Sequence, residues 1–251
     1  MTSSQKQDIY NFLKAADSCI AGYIDESYKN SIPLFKDDKI LNGEEPSVKN
    51  SGTAKLTMDS IIQKVQNCHN CTLCQSRTNV VPGEGVKNPY VLVVGEGPGE
   101  DEDRTGRPFV GKAGVLLDKM LAAISLDREC NCYIANIVKC RPPRNRVPFP
   151  QEAEACKGYL QSQIHILKPK MILAMGRTAI QNLYGTSEGI TTLRGRMLDY
   201  HGIPLMATYH PSALLRDQRL KIPAWADLKA FRSTLQQIAP EYAQSFNQKH
   251  L

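Results

Sequence analysis

Four short apolar runs, separated by helix-forming text, place the tightest limit on how this chain can fold. They are Tyr90 to Val94, Cys132 to Val138, Lys170 to Met175 and Ile203 to Thr208. Helical text is readable around them at Met58 to Val65, Gly114 to Ile124, Gln151 to Leu167 and Arg177 to Leu183. Two of the runs are almost continuously apolar, the pattern of strands covered on both faces. Such strands alternating with helices specify an α/β domain with a parallel or mostly parallel sheet. Sheets of that kind bind ligands beyond the carboxyl ends of their strands. Chemically rich segments follow the four runs: Gly95-Glu96-Gly97-Pro98-Gly99, Lys139-Cys140-Arg141, Gly176, and Tyr209-His210-Pro211-Ser212.

The 251 residues accommodate one sizeable domain of this type plus an appendage. Ile9, Phe12, Leu13, Ala16, Ile20 and Tyr23 recur near a helical period, predicting a helix from about Asp8 to Tyr28. Polar text with Gly and Pro follows Pro33 and reads as a flexible linker. The expected division is an N-terminal extension over 1–56 and a main domain over 57–251. The extension is either a poorly ordered terminus or a helix that docks on the main domain or a protein partner. Residues 1–55 carry seven basic and eight acidic side chains, so the +6 net charge resides in the main domain. A basic domain suits a polyanionic partner. No stretch reaches the roughly 18 consecutive apolar residues of a membrane helix, and Met1 to Lys6 lacks the apolar core of a secretory signal. The expectation is a cytoplasmic protein without a membrane partner.

Eight cysteines in a reducing compartment point to metal ligation more than to disulfides. Cys68 and Cys71 form a C-x-x-C pair, while Cys140 and Cys156 bracket the proline-stiffened basic loop Arg141-Pro142-Pro143-Arg144-Asn145-Arg146. Four thiolates from two distant segments suit a structural zinc or an iron–sulfur cluster, and donor chemistry alone does not separate them. Cys19, Cys74, Cys130 and Cys132 have no matched spacing and read as free thiols.

The glycine turn after the first run is no phosphate cradle, because Pro98 lacks a backbone N–H and Glu100 to Asp103 would repel a pyrophosphate. It reads better as a turn that brings bare backbone up to a small planar ligand. In Gly106-Arg107-Pro108-Phe109-Val110-Gly111, small residues and a proline surround one ring, which is either a core phenylalanine or a platform for a flat base. His210 stands at a strand end, where an imidazole can donate to developing negative charge. Leu214-Leu215-Arg216 after it puts apolar side chains and a cation on one protruding loop, as in wedges that open base steps.

Taken in order, these motifs resemble the family-four uracil-DNA glycosylases, the iron–sulfur group of the uracil-DNA glycosylase superfamily. The resemblance runs from about Ile61 to Leu228. It rests on Cys68-x-x-Cys71 with Arg77-Thr78, on Gly95 to Gly99 with Glu102-Asp103, and on Gly106 to Gly114. Asn136 to Pro143, Arg194-Gly195 and His210 to Arg216 complete it. It implies a three-layer α/β/α fold around a central, mostly parallel four-stranded sheet, and a monomer. It also implies a monofunctional hydrolase of base excision repair, associated with the nucleoid in a prokaryote. The substrate would be uracil-containing DNA, single- or double-stranded, and the products free uracil and an abasic site.

By the same resemblance, Cys68, Cys71, Cys140 and Cys156 would ligate a [4Fe–4S] cluster of structural role, orienting a DNA-binding loop that carries Arg141, Arg144 and Arg146. Uracil would be flipped into a pocket, with Ser212, Leu214, Leu215 and Arg216 at the DNA and Phe109 on the ring. The Asn136 amide would pair with uracil N3–H and O4, a pattern inverted in cytosine. His210 would stabilise charge on O2, aided by backbone at Gly95, Glu96 and Gly97. The best-known uracil glycosylases carry Asp where this chain has Gly97, which leaves Glu102 as the candidate water-activating carboxylate, or else a loop carboxylate that organises backbone, with Glu96 as the alternative. The segment Cys140 to Pro150 lacks the histidine of relatives that trap DNA covalently, so turnover is expected.

Overall fold

A computed structural model describes residues 56–249. The helix and linker expected in the N-terminal extension lie outside the described residues. In chain order the elements are α1 (Met58–Gln66), β1 (Glu84–Gly85), β2 (Val91–Gly95), α2 (Glu100–Thr105), α3 (Lys112–Ala122) and β3 (Cys132–Asn136). Next come α4 (Pro150–Leu167), β4 (Met171–Met175), α5 (Arg177–Tyr184), α6 (Ile190–Leu193), β5 (Met197–Tyr200) and β6 (Ile203–Thr208). The described chain ends with α7 (Pro211–Arg216), α8 (Lys221–Ile238) and α9 (Gln244–Lys249). The Thr57 hydroxyl caps α1 by accepting from Ser60 N at 3.2 Å, and Ser60 Oγ accepts from Thr57 N at 3.1 Å.

The sheet has the order β1-β3-β2-β4-β6-β5. Its four inner strands are parallel, and the outer pairs β1–β3 and β5–β6 are antiparallel. Side chains alternate across it. Leu92, Val94, Ile172, Ala174 and Leu205 pack with Leu160 and Ile164 of α4 and Ile180 and Leu183 of α5. Val91, Val93, Met171, Leu173 and Met206 pack on the other face with Leu117 and Leu121 of α3 and Leu228 and Phe231 of α8. That is the expected three-layer arrangement. The chain order reverses between β2 and β4, the place where open α/β sheets leave a crevice.

The four expected strands are all present, but the sheet has six. Both added strands are short edges: β1 has two residues, and β5 alternates exposed and half-buried positions. Neither produces an apolar run, because an edge strand buries little. The acidic text Glu100 to Asp103 is the first turn of α2, where carboxylates complement the helix dipole. Leu214 to Arg216 is not a protruding loop but the end of α7, and α8 was not among the helices expected.

Candidate active site

The ends of β2 and β3 lie side by side, with Gly95 opposite Asn136. A Cβ on Gly95 would stand 2.4 Å from Asn136 Oδ1 and 2.5 Å from the Phe109 ring, so only glycine lets amide and ring meet there. Asn136 is 1% exposed, and its Oδ1 is the buried side-chain acceptor without a hydrogen-bond partner among the described residues. Leaving such an atom unpaired costs about 1–3 kcal/mol, so its persistence marks a place for a ligand donor. Lys139, wholly buried, donates to Asn136 O at 2.8 Å and to Gln163 Oε1 at 2.7 Å, which fixes the end of β3. Burial pushes its pKa down to about 8.

Phe109 adopts a left-handed backbone conformation, φ 52°, that is rare for an aromatic residue. Its ring centroid lies 5.5 Å from that of His210, tilted by 32°. His210 precedes α7, and its Nδ1 accepts from Ser212 N at 3.1 Å and lies 2.8 Å from Ser212 Oγ. A backbone amide only donates, so Nδ1 carries the lone pair and the neutral ring holds its proton on Nε2. Burial first, then the Arg216 charge, push the His210 pKa down to about 4, against an upward pull from Glu102. At neutral pH this imidazole is an uncharged N–H donor.

Phe109, Asn136, His210 and Ser212 line one cleft of about 580 Å³, together with Glu96, Gly97, Glu102, Met175, Thr178, Tyr209 and Arg216. Its two carboxylates differ in setting. Glu102 accepts from three backbone amides, Gly99 N at 3.0 Å, Val110 N at 2.8 Å and Gly111 N at 2.9 Å, and so binds α2 to the loop holding Phe109. Glu96 is held through one oxygen by the Thr178 hydroxyl at 2.5 Å.

Cys68, Cys71, Cys140 and Cys156 line a second pocket with Val65, Leu73, Val138 and Tyr159, and Cys74 shares it. Burial raises the Cys71, Cys140 and Cys156 thiols, the last to about 11, and the Cys68 charge adds to each. Among the described residues, no group of three or more His, Cys, Asp or Glu forms a ready single-ion site. Arg77 Nη1 donates to Cys140 Sγ at 3.1 Å, and Lys139 N donates to Cys156 Sγ at 3.3 Å. Four thiols in an apolar pocket that also supplies N–H···S donors fit a thiolate-bound metal group.

Glu152 joins that pocket to the basic loop. It takes two hydrogen bonds from Arg146, at 2.8 and 2.7 Å, one from Phe149 N at 2.8 Å and one from Thr72 Oγ1 at 3.2 Å. The Arg146 guanidinium also lies 3.8 Å from the Phe149 ring centroid. Arg141 bonds Asn145 Oδ1 at 2.8 Å and faces Glu100 at 3.4 Å, whereas Arg144 stands exposed.

Residues 82–229 match the family model of the uracil DNA glycosylase superfamily. The chain belongs to that superfamily. A type-4 uracil-DNA glycosylase of Thermotoga maritima is 46% identical over 168 residues, 66% of this chain and 87% of that protein. One of Archaeoglobus fulgidus is 39% identical over 181 residues, covering 69% and 90% of the two chains. One of Sulfurisphaera tokodaii is 40% identical over 185 residues, covering 70% and 84%.

Of the residues expected from sequence, Glu96, Gly97, Glu102, Phe109, Asn136, Arg146, His210, Ser212 and Arg216 line the cleft, Gly95 stands beside it against Asn136, and all lie within the superfamily match. Among the wedge candidates Leu215 is 46% exposed, but Leu214 is 2% exposed and packs in the core, so Leu214 is an anchor and not a wedge. Ser212 bonds the imidazole, and Arg146 is engaged by Glu152. Thr178 and Met175 were not foreseen. Their only signal was position, since both flank Gly176 at the end of β4.

Proposed function

We infer that this member of the superfamily is a uracil-DNA glycosylase of base excision repair, which hydrolyses the bond between uracil and deoxyribose. The observation that carries the reading is the buried, unpaired Asn136 Oδ1, flanked by an aromatic face and a neutral imidazole. It is an acceptor waiting for a ring N–H, beside a platform and a donor. The names of the relatives point the same way. Uracil flipped into the cleft stacks on Phe109 and gives its N3–H to Asn136 Oδ1, while the Asn136 amide donates to O4. Cytosine has no N3–H and leaves Oδ1 unpaired.

As the C1′–N1 bond breaks, its electron pair passes to the base, and His210 Nε2–H donates to the charge growing on O2. Water then adds its oxygen to C1′ and gives up a proton. Glu96 is the better acceptor for that proton, because both oxygens of Glu102 already bind backbone amides. Leu215 and Arg216 fill the gap left in the stack, and Arg141 and Arg144 meet phosphates. Cys68, Cys71, Cys140 and Cys156 hold a [4Fe–4S] cluster, in line with the resemblance to the iron–sulfur group. Hydrolysis transfers no net electrons, so the cluster, when bound, serves to join the two cysteine segments. Residues 57–251 form the catalytic domain, acting as a monomer in the cytoplasm; no helix among the described residues is long and apolar enough to cross a membrane.

The test is incubation with single-stranded and paired uracil oligonucleotides, followed by alkali. Scission at uracil alone is expected. Uracil-specific retention without scission would favour a binding module over an enzyme.

A further inference from the structure

We propose that Arg128 is a positioning residue for the base-stacking ring: its guanidinium holds the Phe109 backbone in the left-handed conformation that presents the ring beside Asn136 and His210. The proposal rests on the reading of Phe109 as the stacking platform. A non-glycine residue keeps φ near 52° only where its surroundings impose it. Here Arg128 Nη1 donates to Pro108 O at 2.8 Å, and Nη2 donates to Phe109 O at 3.0 Å. One planar fork thus grips two successive carbonyls, a geometry that a lysine ammonium does not reproduce.

The fork is itself fixed. Arg128 Nη2 bonds Asp118 Oδ1 at 2.7 Å, Nη1 lies 3.7 Å from Glu84 Oε1, and the side chain is only 9% exposed. Glu84 also receives Arg107 at 2.9 and 2.7 Å, so the residue before Pro108 is tied to the same carboxylate of β1 that faces the fork, while Val110 N after Phe109 is held by Glu102. Gly114 of α3 packs directly on the same carbonyl, for a Cβ there would collide with Phe109 O and C. Arg128 lines a pocket behind Phe109 and does not line the uracil cleft, so it acts through the ring and not on the substrate.

The test is a double-mutant cycle on uracil excision by the cluster-loaded protein, using Arg128→Lys and Phe109→Ala, with thermal unfolding recorded for each variant. Arg128→Lys should lower kcat by about tenfold or more, the scale expected of a misplaced contact, and leave KM within about twofold, because DNA contacts are untouched. In the Phe109→Ala background the same substitution should cost nothing further. Asp118→Asn, which leaves the fork in place but unsteadied, should show a smaller loss that also vanishes without the ring. Wild-type kcat in Arg128→Lys, or an equal loss in both backgrounds, overturns the proposal and leaves Phe109 as the platform. Wild-type activity in Phe109→Ala overturns the stacking reading and this proposal together.

Discussion

At the scale of single residues, the cleft depends on groups kept in one protonation state. Ser212 N occupies His210 Nδ1, and burial and Arg216 hold the ring neutral, with a pKa of about 4. A base held below its ordinary value of 6.5 stabilises the fold fully above that value. The contribution fades as pH falls from 6.5 towards about 4. If neutral His210 is the donor, single-turnover excision should show no break near 6.5 and should fall only as the pH nears 4. A pH–rate profile with an inflection near 6.5 would contradict that assignment. His210→Ala should lower kcat by about a hundredfold or more, as removal of an oxyanion donor does. His210 was legible because it follows a strand, and Phe109 because it stands in a distinctive Gly/Pro loop, whereas Asn136, the last residue of β3, was legible only through the family resemblance. Thr178 and Arg128 were not, because their roles arise from contacts with Glu96 and Pro108-Phe109 at distant positions. Leu214 was misread because a Leu-Leu pair does not announce which member faces the core.

Among elements, the basic loop that borders the cleft is held by Glu152 in the first turn of α4. Arg146, Phe149 and Thr72 all bond it, and Arg146 in particular holds its carboxyl below the usual carboxylate range. One buried side chain thus joins the basic loop, a helix start and the segment following Cys71. From the sequence, Arg146 reads as a DNA contact and Glu152 as an ordinary helical acid. Their partnership is invisible there because a helix start and a proline-stiffened loop must meet to make it. Glu152→Ala should lower stability, because it removes the shared acceptor of Arg146, Phe149 N and Thr72 Oγ1. It should also raise KM for uracil DNA more than it lowers kcat, since the loop lies at the rim and not at the glycosidic bond. Chemical denaturation and steady-state kinetics check the two effects separately.

Across the whole molecule, the parallel sheet and the cysteine pocket do different jobs. The sheet brings Gly95, Asn136, Gly176 and His210 to one end, and its cores on both faces are continuous hydrocarbon. That half of the design was readable as apolar runs, whereas the edge strands β1 and β5, which bury little, were not. The segments 68–79 and 140–146 hold no strand or α-helix, only short 3-10 turns at Thr72–Gln75 and Pro143–Asn145. They are fastened to the rest by Arg77 on Cys140 and Cys68 O, by Asp103 on Thr78 and Asn79, and by Glu152. If the four cysteines share a cluster, it is the central fastener of those segments, and removing it should loosen them without melting the sheet. Cys156→Ser should therefore lose iron. Its hydrogen exchange should rise across 68–79 and 140–152, while the amides of β2, β3 and β4 keep their protection. Iron analysis with exchange mass spectrometry reads both. Retention of stoichiometric iron, or uniform deprotection that includes the sheet, would contradict this division of labour.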